Sequence, residues 1–199
     1  VNEGQMIARA GNSASAHVHA SVPGIVSGIV DTQLPNGHSF RGLHIKTGGS
    51  FGILGKQRTP YLWKQSDQTG LIHFLDLAGL VNTSGETISL AEDIRTAVKQ
   101  GIKTLTVMLY DKDPTCLLDS FLARRFIREV AEGINIIAHA MGAAKIIVET
   151  GTEKKERALF DTIGTVIPDR DLAHITVSQT YPAGTAHTRS AEKDAVVID

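Results

Sequence analysis

His17 and His19 stand two positions apart in a strand-like stretch, a spacing that puts both rings on one face and would let them share a metal ion. A third donor would have to come from His38 or His44. No carboxylate or cysteine accompanies them, so the stretch is read without a metal site. Asp111 and Asp113 flank Lys112 where an apolar run ends, the place at which α/β sheets hold ligand-binding groups. Asp113 precedes Pro114 and has the position of a helix N-cap, which accounts for it. Asp111 is then the functional candidate of the pair. Cys116 falls in the first turn after Pro114, where a helix N-terminus lowers a thiol pKa, but a lone helical cysteine is read as packing. Tyr61 and Trp63 have the surfaces to stack on a planar ligand and are read instead as a clasp between two modules. Arg124, Arg125, Arg128 and Glu129 make a solvated helix face. No catalytic residue is assigned.

The bulk properties exclude several classes. The chain has 199 residues, enough for one large or two small domains. It is 42% hydrophobic and 21% charged, as globular proteins are. Lys and Arg number 20 against 21 for Asp and Glu, which argues against a nucleic-acid surface or a basic membrane-binding face. The longest apolar region, 134–148, is interrupted by Asn135, His139 and Lys145 and is too short to span a bilayer, so no direct membrane insertion is expected. A single cysteine excludes an internal disulfide or a cysteine-ligated cluster within these residues. Val1 sits inside what reads as a turn before a strand, and the sequence is taken as a piece of a longer chain.

Residues 1–50 are rich in Gly, Ser and His and strand-like. Val22, Ile25, Val26, Ile29 and Val30 surround a Pro23-Gly24 corner, and Asn36-Gly37 is a strong hairpin signal. From residue 51 the period changes. Helices are expected over 70–80, over 89–99 with a Ser89/Glu92 capping box and Gly101 as a stop, as one long helix from about Pro114 to His139, and over 153–163. Strands are expected over 104–110, 145–150 and 174–178. Alternating strand and helix argues for an α/β layer with a mostly parallel sheet. The expected division is a small all-β module at 1–50 and an α/β domain at 51–199.

Three ordered motifs carry a resemblance. Glu3-Gly-Gln-Met-Ile7, then Val18-His-Ala-Ser-Val-Pro-Gly-Ile-Val26, then Pro35-Asn-Gly37 with Leu43-His-Ile-Lys46 resemble the barrel-sandwich hybrid (lipoyl-like) module of the C subunit of the Rnf electron-transport complex. Most of the chain, from about Glu3 to Ser190, can be laid along that family, whose second domain is a Rossmann-like, three-layer fold similar to the flavin-bearing subunit of respiratory complex I. The resemblance implies a peripheral subunit at the cytoplasmic face of the inner membrane, partnered by other subunits of the complex. It implies FMN and NADH as cofactors, with iron–sulfur clusters only outside these residues.

The cofactor positions are carried over residue by residue. Ala78-Gly-Leu-Val81 matches the family's step before a Gly-rich loop that would cradle phosphate. Gly85 keeps the loop's register, whereas Asn82, Ser84 and Thr87 replace glycines and Glu86 adds a carboxylate. The loop therefore reads as a poor anion cradle. Asp111, Asp113, Pro114 and Asp119 match a second, acidic landmark in position and sign, with Glu shortened to Asp. Tyr181, Pro182 and Gly184 match a third. Asn82, Ser84, Gly85, Asp111 and Asp113 are thus the candidate FMN/NADH positions, in a site whose structural residues persist while its cofactor-facing ones differ. Lys46 lacks the flanking acidic residue or Met of a modified carrier lysine. A non-catalytic scaffold or docking subunit is the alternative reading.

Overall fold

The computed structural model describes residues 1–12, 15–51, 61–82, 89–111, 118–152, 154–177 and 195–198. Its first strands, β1 (Met6–Ala8) and β2 (Val18–His19), pair antiparallel. Backbone bonds from Val1 and Gly24 to each other, and between Gly4 or Gln5 and Ala20, fasten the first residues beside them. β3 (Gly24–Gln33) and β4 (Ser39–Thr47) form a hairpin. Its turn is the expected one: Gly37 takes φ +85°, and the Asn36 side chain accepts from the His38 N–H at 3.1 Å. A bulge between Val26 and Gly28 shifts the register. Val26 and Ile29 consequently share one face with Leu43, while Ile25 and Val30 lie on the other with Phe40. The four described strands make two separate two-stranded ribbons; a closed barrel sandwich goes beyond them.

The rest is built on a parallel sheet of β5 (Thr104–Met108), β6 (Lys145–Thr150), β7 (Asp171–Thr176) and β8 (Ala195–Ile198), in the order β7-β6-β5-β8. With it go the helices α1 (Gln68–Leu77), α2 (Leu90–Gln100), α3 (Leu118–Arg125), α4 (Ile127–Met141) and α5 (Lys154–Val166). Their ends follow the local chemistry. The Asp67 carboxylate accepts from the Gly70 N–H at 2.9 Å to start α1, and the Ser89 hydroxyl accepts from the Glu92 N–H at 3.4 Å to start α2. Gly101, at φ +72°, ends α2 as expected.

Leu105, Val107 and Leu109 of the β5 segment point into the main core with Ile146, Val148, Val196 and Ile198, and all five helices contribute to that same cluster or pack on it. Burying each such side chain contributes roughly 1.5–3 kcal/mol. Thr106, Met108 and Tyr110 alternate onto the opposite face. The connections β5–α3–α4–β6 and β6–α5–β7 step the same way across the sheet, so right-handed crossovers place their helices on one side. Among the described residues helices cover this face alone, and the third layer expected from the resemblance is not represented.

The strand expected over 174–178 is found earlier, at Asp171–Thr176, and two further expectations change. The single long helix is two: Phe126, at φ −126° and ψ 36°, leaves helical geometry, although the Phe126 and Val130 N–H groups still bond four residues back. The apolar spacing runs straight through this kink, so periodicity could not register it. β8 was not expected as a strand, yet it is paired with β5 from Thr104↔Ala195 to Val107↔Ile198.

Candidate functional site

β5 lies between β6, which it reaches through α3 and α4, and β8, which arrives from elsewhere in the chain. Connections diverge here, and in open α/β sheets the crevice outside the carboxyl ends of such a strand pair is where ligands bind. Between the ends of β5 and β8 on one side and α3 and α4 on the other lies a cavity of about 290 Å³. Val107, Leu109 and Ile198 form its sheet wall, Leu122 its α3 wall, and Gly133 and Ile134 its α4 wall, with Asp119 at the rim.

Two of the sequence-predicted residues are brought to this strand pair. Asp111 follows β5, and its two carboxylate oxygens accept from the Asp119 N–H at 3.0 Å and the Ser120 N–H at 3.2 Å. It thereby holds the first turn of α3, a charge-assisted cap that also meets the positive end of the helix. The sequence assigned capping to Asp113 and ligand contact to Asp111; the carboxylate seen on the helix N–H groups is that of Asp111. Asn82 is 3% exposed, and its amide donates to the Asp93 carboxylate at 2.9 Å and to the Val197 carbonyl of β8 at 2.8 Å. Asn82 thus fastens the exit of α1 to α2 and to the sheet. Ser84, Gly85 and Asp113, with Cys116, Tyr181, Pro182 and Gly184, lie outside the described residues.

Sequence reasoning missed a buried pair on the opposite face of the sheet. The Tyr110 hydroxyl donates to Glu149 Oε2 at 3.3 Å and approaches Met108 Sδ at 3.7 Å, and Glu149 is 4% exposed. Burial first, and then the Glu149 charge, push the Tyr110 hydroxyl up to about 12. The signal was present, since a carboxylate interrupts the apolar run of β6. At the edge strand, the Thr150 hydroxyl lies 2.9 Å from His174 Nε2, and the His174 ring stacks on Phe160 at 4.8 Å. The same hydroxyl lies 3.1 Å from the Gly151 carbonyl oxygen. Burial, and secondarily the Arg157 charge, lower the His174 pKa against a smaller opposing pull from Asp161.

Both histidines of the pair make contacts within the fold. His17 Nδ1 accepts from the Ala10 N–H at 3.0 Å, and its Nε2 lies 3.8 Å from Asp76 of α1. His19 Nε2 is 2.8 Å from the Leu77 carbonyl, at the end of the same helix. Gly79 lies against both: it takes φ +67°, and a Cβ there would stand 2.6 Å from the His17 carbonyl oxygen and 2.9 Å from the His19 ring. Asp76 also binds Arg95 of α2 at 2.6 Å, and Arg95 reaches Glu92 at 3.1 Å. The two histidines thus tie the β1–β2 segment to α1, whereas the described contacts of Tyr61 and Trp63 lie elsewhere. Tyr61 stacks on Phe74 with ring centroids 3.8 Å apart, and the Trp63 indole donates to Glu132 of α4 at 3.2 Å. Both aromatics serve the α/β part.

No family model matches the chain. It is 26% identical over 160 residues to the C subunit of the ion-translocating oxidoreductase complex of Rhodobacter capsulatus, found in two sequences, covering 78% of this chain and 30% of the relative. The chain thus spans 30% of the length of the curated relatives it matches. Among solved structures, it aligns with the NAD+-reducing [NiFe]-hydrogenase in the air-oxidized state at a TM-score of 0.46 and 20% identity, over 55% of this chain and 20% of that one. The H2-reduced state gives 0.46 and 19%, over 58% and 22%.

Proposed function

We propose that this chain is part of a peripheral subunit of a membrane electron-transport complex of the ion-translocating oxidoreductase type, with an all-β module at 1–50 and a Rossmann-like α/β domain at 51–199. The identity to the Rhodobacter C subunit over 78% of the chain carries the reading. The motifs at Glu3, Val18 and Pro35 agree with it in order. Its partners would be the other subunits of such a complex, at the cytoplasmic face of the inner membrane. Among the described residues no helix is long and apolar enough to cross a membrane.

The cofactor role is a separate matter. The described residues of the crevice fit a flavin or dinucleotide phosphate poorly. Its described lining contains no cation, the Asn82 amide is spent on Asp93 and Val197, and the Asp111 carboxylate is spent on α3. These contacts favour the second reading, a scaffold subunit in which the former cofactor positions have become structural ties. Titration with FMN and then NADH, followed by absorbance difference spectra, separates the two. Retained, NADH-reducible flavin supports a redox role; no flavin at saturation leaves the scaffold. Co-purification of the full-length parent with its neighbouring subunits tests the complex itself, and a parent that purifies alone under gentle solubilisation would sink both.

A further inference from the structure

Arg170 stands just before β7, and neutral acceptors hold its guanidinium. Nε donates to Asn135 Oδ1 of α4 at 3.2 Å, and Nη1 donates to the Ala143 carbonyl at 3.3 Å. A guanidinium carries five N–H groups, so three remain, and these two bonds orient the charge without neutralising it. Close by, the Lys64 ammonium lies 5.5 Å from the centroid of the Trp63 ring. The ion pairs found among the described residues involve neither cation. Both line a cavity of about 360 Å³, together with Trp63, with Asn135 and His139 of α4, and with the segment 166–170 between α5 and β7. Ala143 lies on the approach to β6 and Arg170 on the approach to β7. In this parallel sheet the cavity is therefore at the amino ends of the strands, the opposite end from the crevice beside β5 and β8.

We propose that this cavity binds a small organic monocarboxylate, with Arg170 and Lys64 taking the carboxylate and Trp63, Val166 and Pro168 taking its apolar body. Charge sets the first limit. Two cations face one carboxylate, Asp169, in the described lining, which leaves a single positive charge to be matched. A phosphate dianion would bring a second negative charge against Asp169. Glu132, which accepts from the Trp63 indole, is not part of the lining. Shape sets the second limit, since a planar guanidinium with N–H groups to spare fits a planar carboxylate. Size sets the third: about 360 Å³ is near the bottom of the range for ligand pockets and suits a one-ring molecule. Because Arg170 is already tied to α4 and to the approach to β6, little ordering is left to be done on binding.

Trp63 is the chain's only tryptophan, so its emission reports on the cavity directly. The test titrates the 199-residue chain with benzoate at fixed ionic strength. The expected result is a saturable one-site change in Trp63 emission, with neutral benzamide and inorganic phosphate each at least ~10-fold weaker. Lys64→Glu, at an exposed position, should weaken benzoate at least ~10-fold with thermal unfolding unchanged. Arg170→Gln should weaken it as much; if that variant does not fold, Lys64→Glu carries the test. Asp169→Asn removes the opposing charge and should tighten benzoate several-fold, a gain that a purely structural role for these side chains would not produce. Calorimetry supplies the same constants where a substitution itself alters the emission. The proposal is overturned by benzamide binding as tightly as benzoate, by the lack of a saturable response to benzoate, or by undiminished benzoate affinity in folded Lys64→Glu. Tighter binding of an acetylated dipeptide with a free carboxyl terminus would overturn it as well, by assigning the cavity to a partner's chain end. Flavin titration addresses the crevice at the other end of the sheet, so its outcome and this one are read separately.

Discussion

The parallel sheet and the β3–β4 ribbon use the same kinds of side chain to opposite effect. Leu105, Ile146 and Val148 are fully buried, whereas Ile25 is 74% and Ile29 68% exposed. Both strand sets are rich in β-branched residues, so propensity does not distinguish them. What differs is what lies across each face. The sheet has helices whose apolar stripes face it, while the ribbon's shape comes from its own turn and bulge, with both faces left largely open among the described residues. The contacts of His17 and His19 with α1 fasten β1–β2, and not the ribbon, to the helices that cover the sheet.

Substitutions that probe each region should therefore rank in a definite order, read as stability by denaturant titration. Leu105→Ala should cost the most, about 3 kcal/mol, because a close-packed site cannot collapse around the void. If it cost as little as a ribbon substitution, the contrast between the regions would be lost.

Gly79→Ala should come next, at roughly 2 kcal/mol, since it combines a left-handed φ with a clash against His17 and His19. Its particular signature is faster amide exchange in residues 1–10 and 17–20 while β5 and β6 stay protected. Uniform loosening across the chain would show that the histidine contacts are not local to that segment.

The Tyr110 hydroxyl should give an alkaline transition. Its folded pKa, about 12, lies above the ordinary 10, so the stabilisation is complete below pH 10 and is lost as pH rises toward 12. The loss is on the order of 2 kcal/mol, and Tyr110→Phe should remove the dependence. A wild-type stability curve flat from pH 9 to 12 would contradict the burial of this pair.

His174 should act in the other direction and more weakly. Its folded pKa is lowered, so its contribution is present above the unfolded pKa near 6.5 and fades as pH falls through the folded value. His174→Gln should blunt that acid-side loss, as followed by thermal unfolding from pH 7 to 5. Smallest of all, Ile29→Ala on the open ribbon should stay within about 0.5 kcal/mol. A large cost there would mean that the ribbon is covered in solution.

Much of this was legible because the causes are local. Ser89 three residues before Glu92, Asn36-Gly37 between strand-like runs, and the β-branched Ile146-Ile147-Val148 each specify their element by capping, turn chemistry or strand propensity. The kink at Phe126 was not legible, since one non-helical residue leaves the apolar spacing intact. Nor was the pairing of β8 with β5, although Val196, Val197 and Ile198 are good strand formers, because nothing in a four-residue run names its partner.

The candidate site divides in the same way. Resemblance to a family's Gly-rich loop pointed to Asn82, the end of an apolar run pointed to Asp111, and residue types showed the change in character near residue 50. Only the folded chain decided what those side chains do: Asn82 bonds to Asp93 and Val197, Asp111 holds α3, and the histidines grip α1. The physical reason is that a side chain's partners across the fold are set by which surfaces come together when the core is buried. Sequence spacing encodes that only for near neighbours.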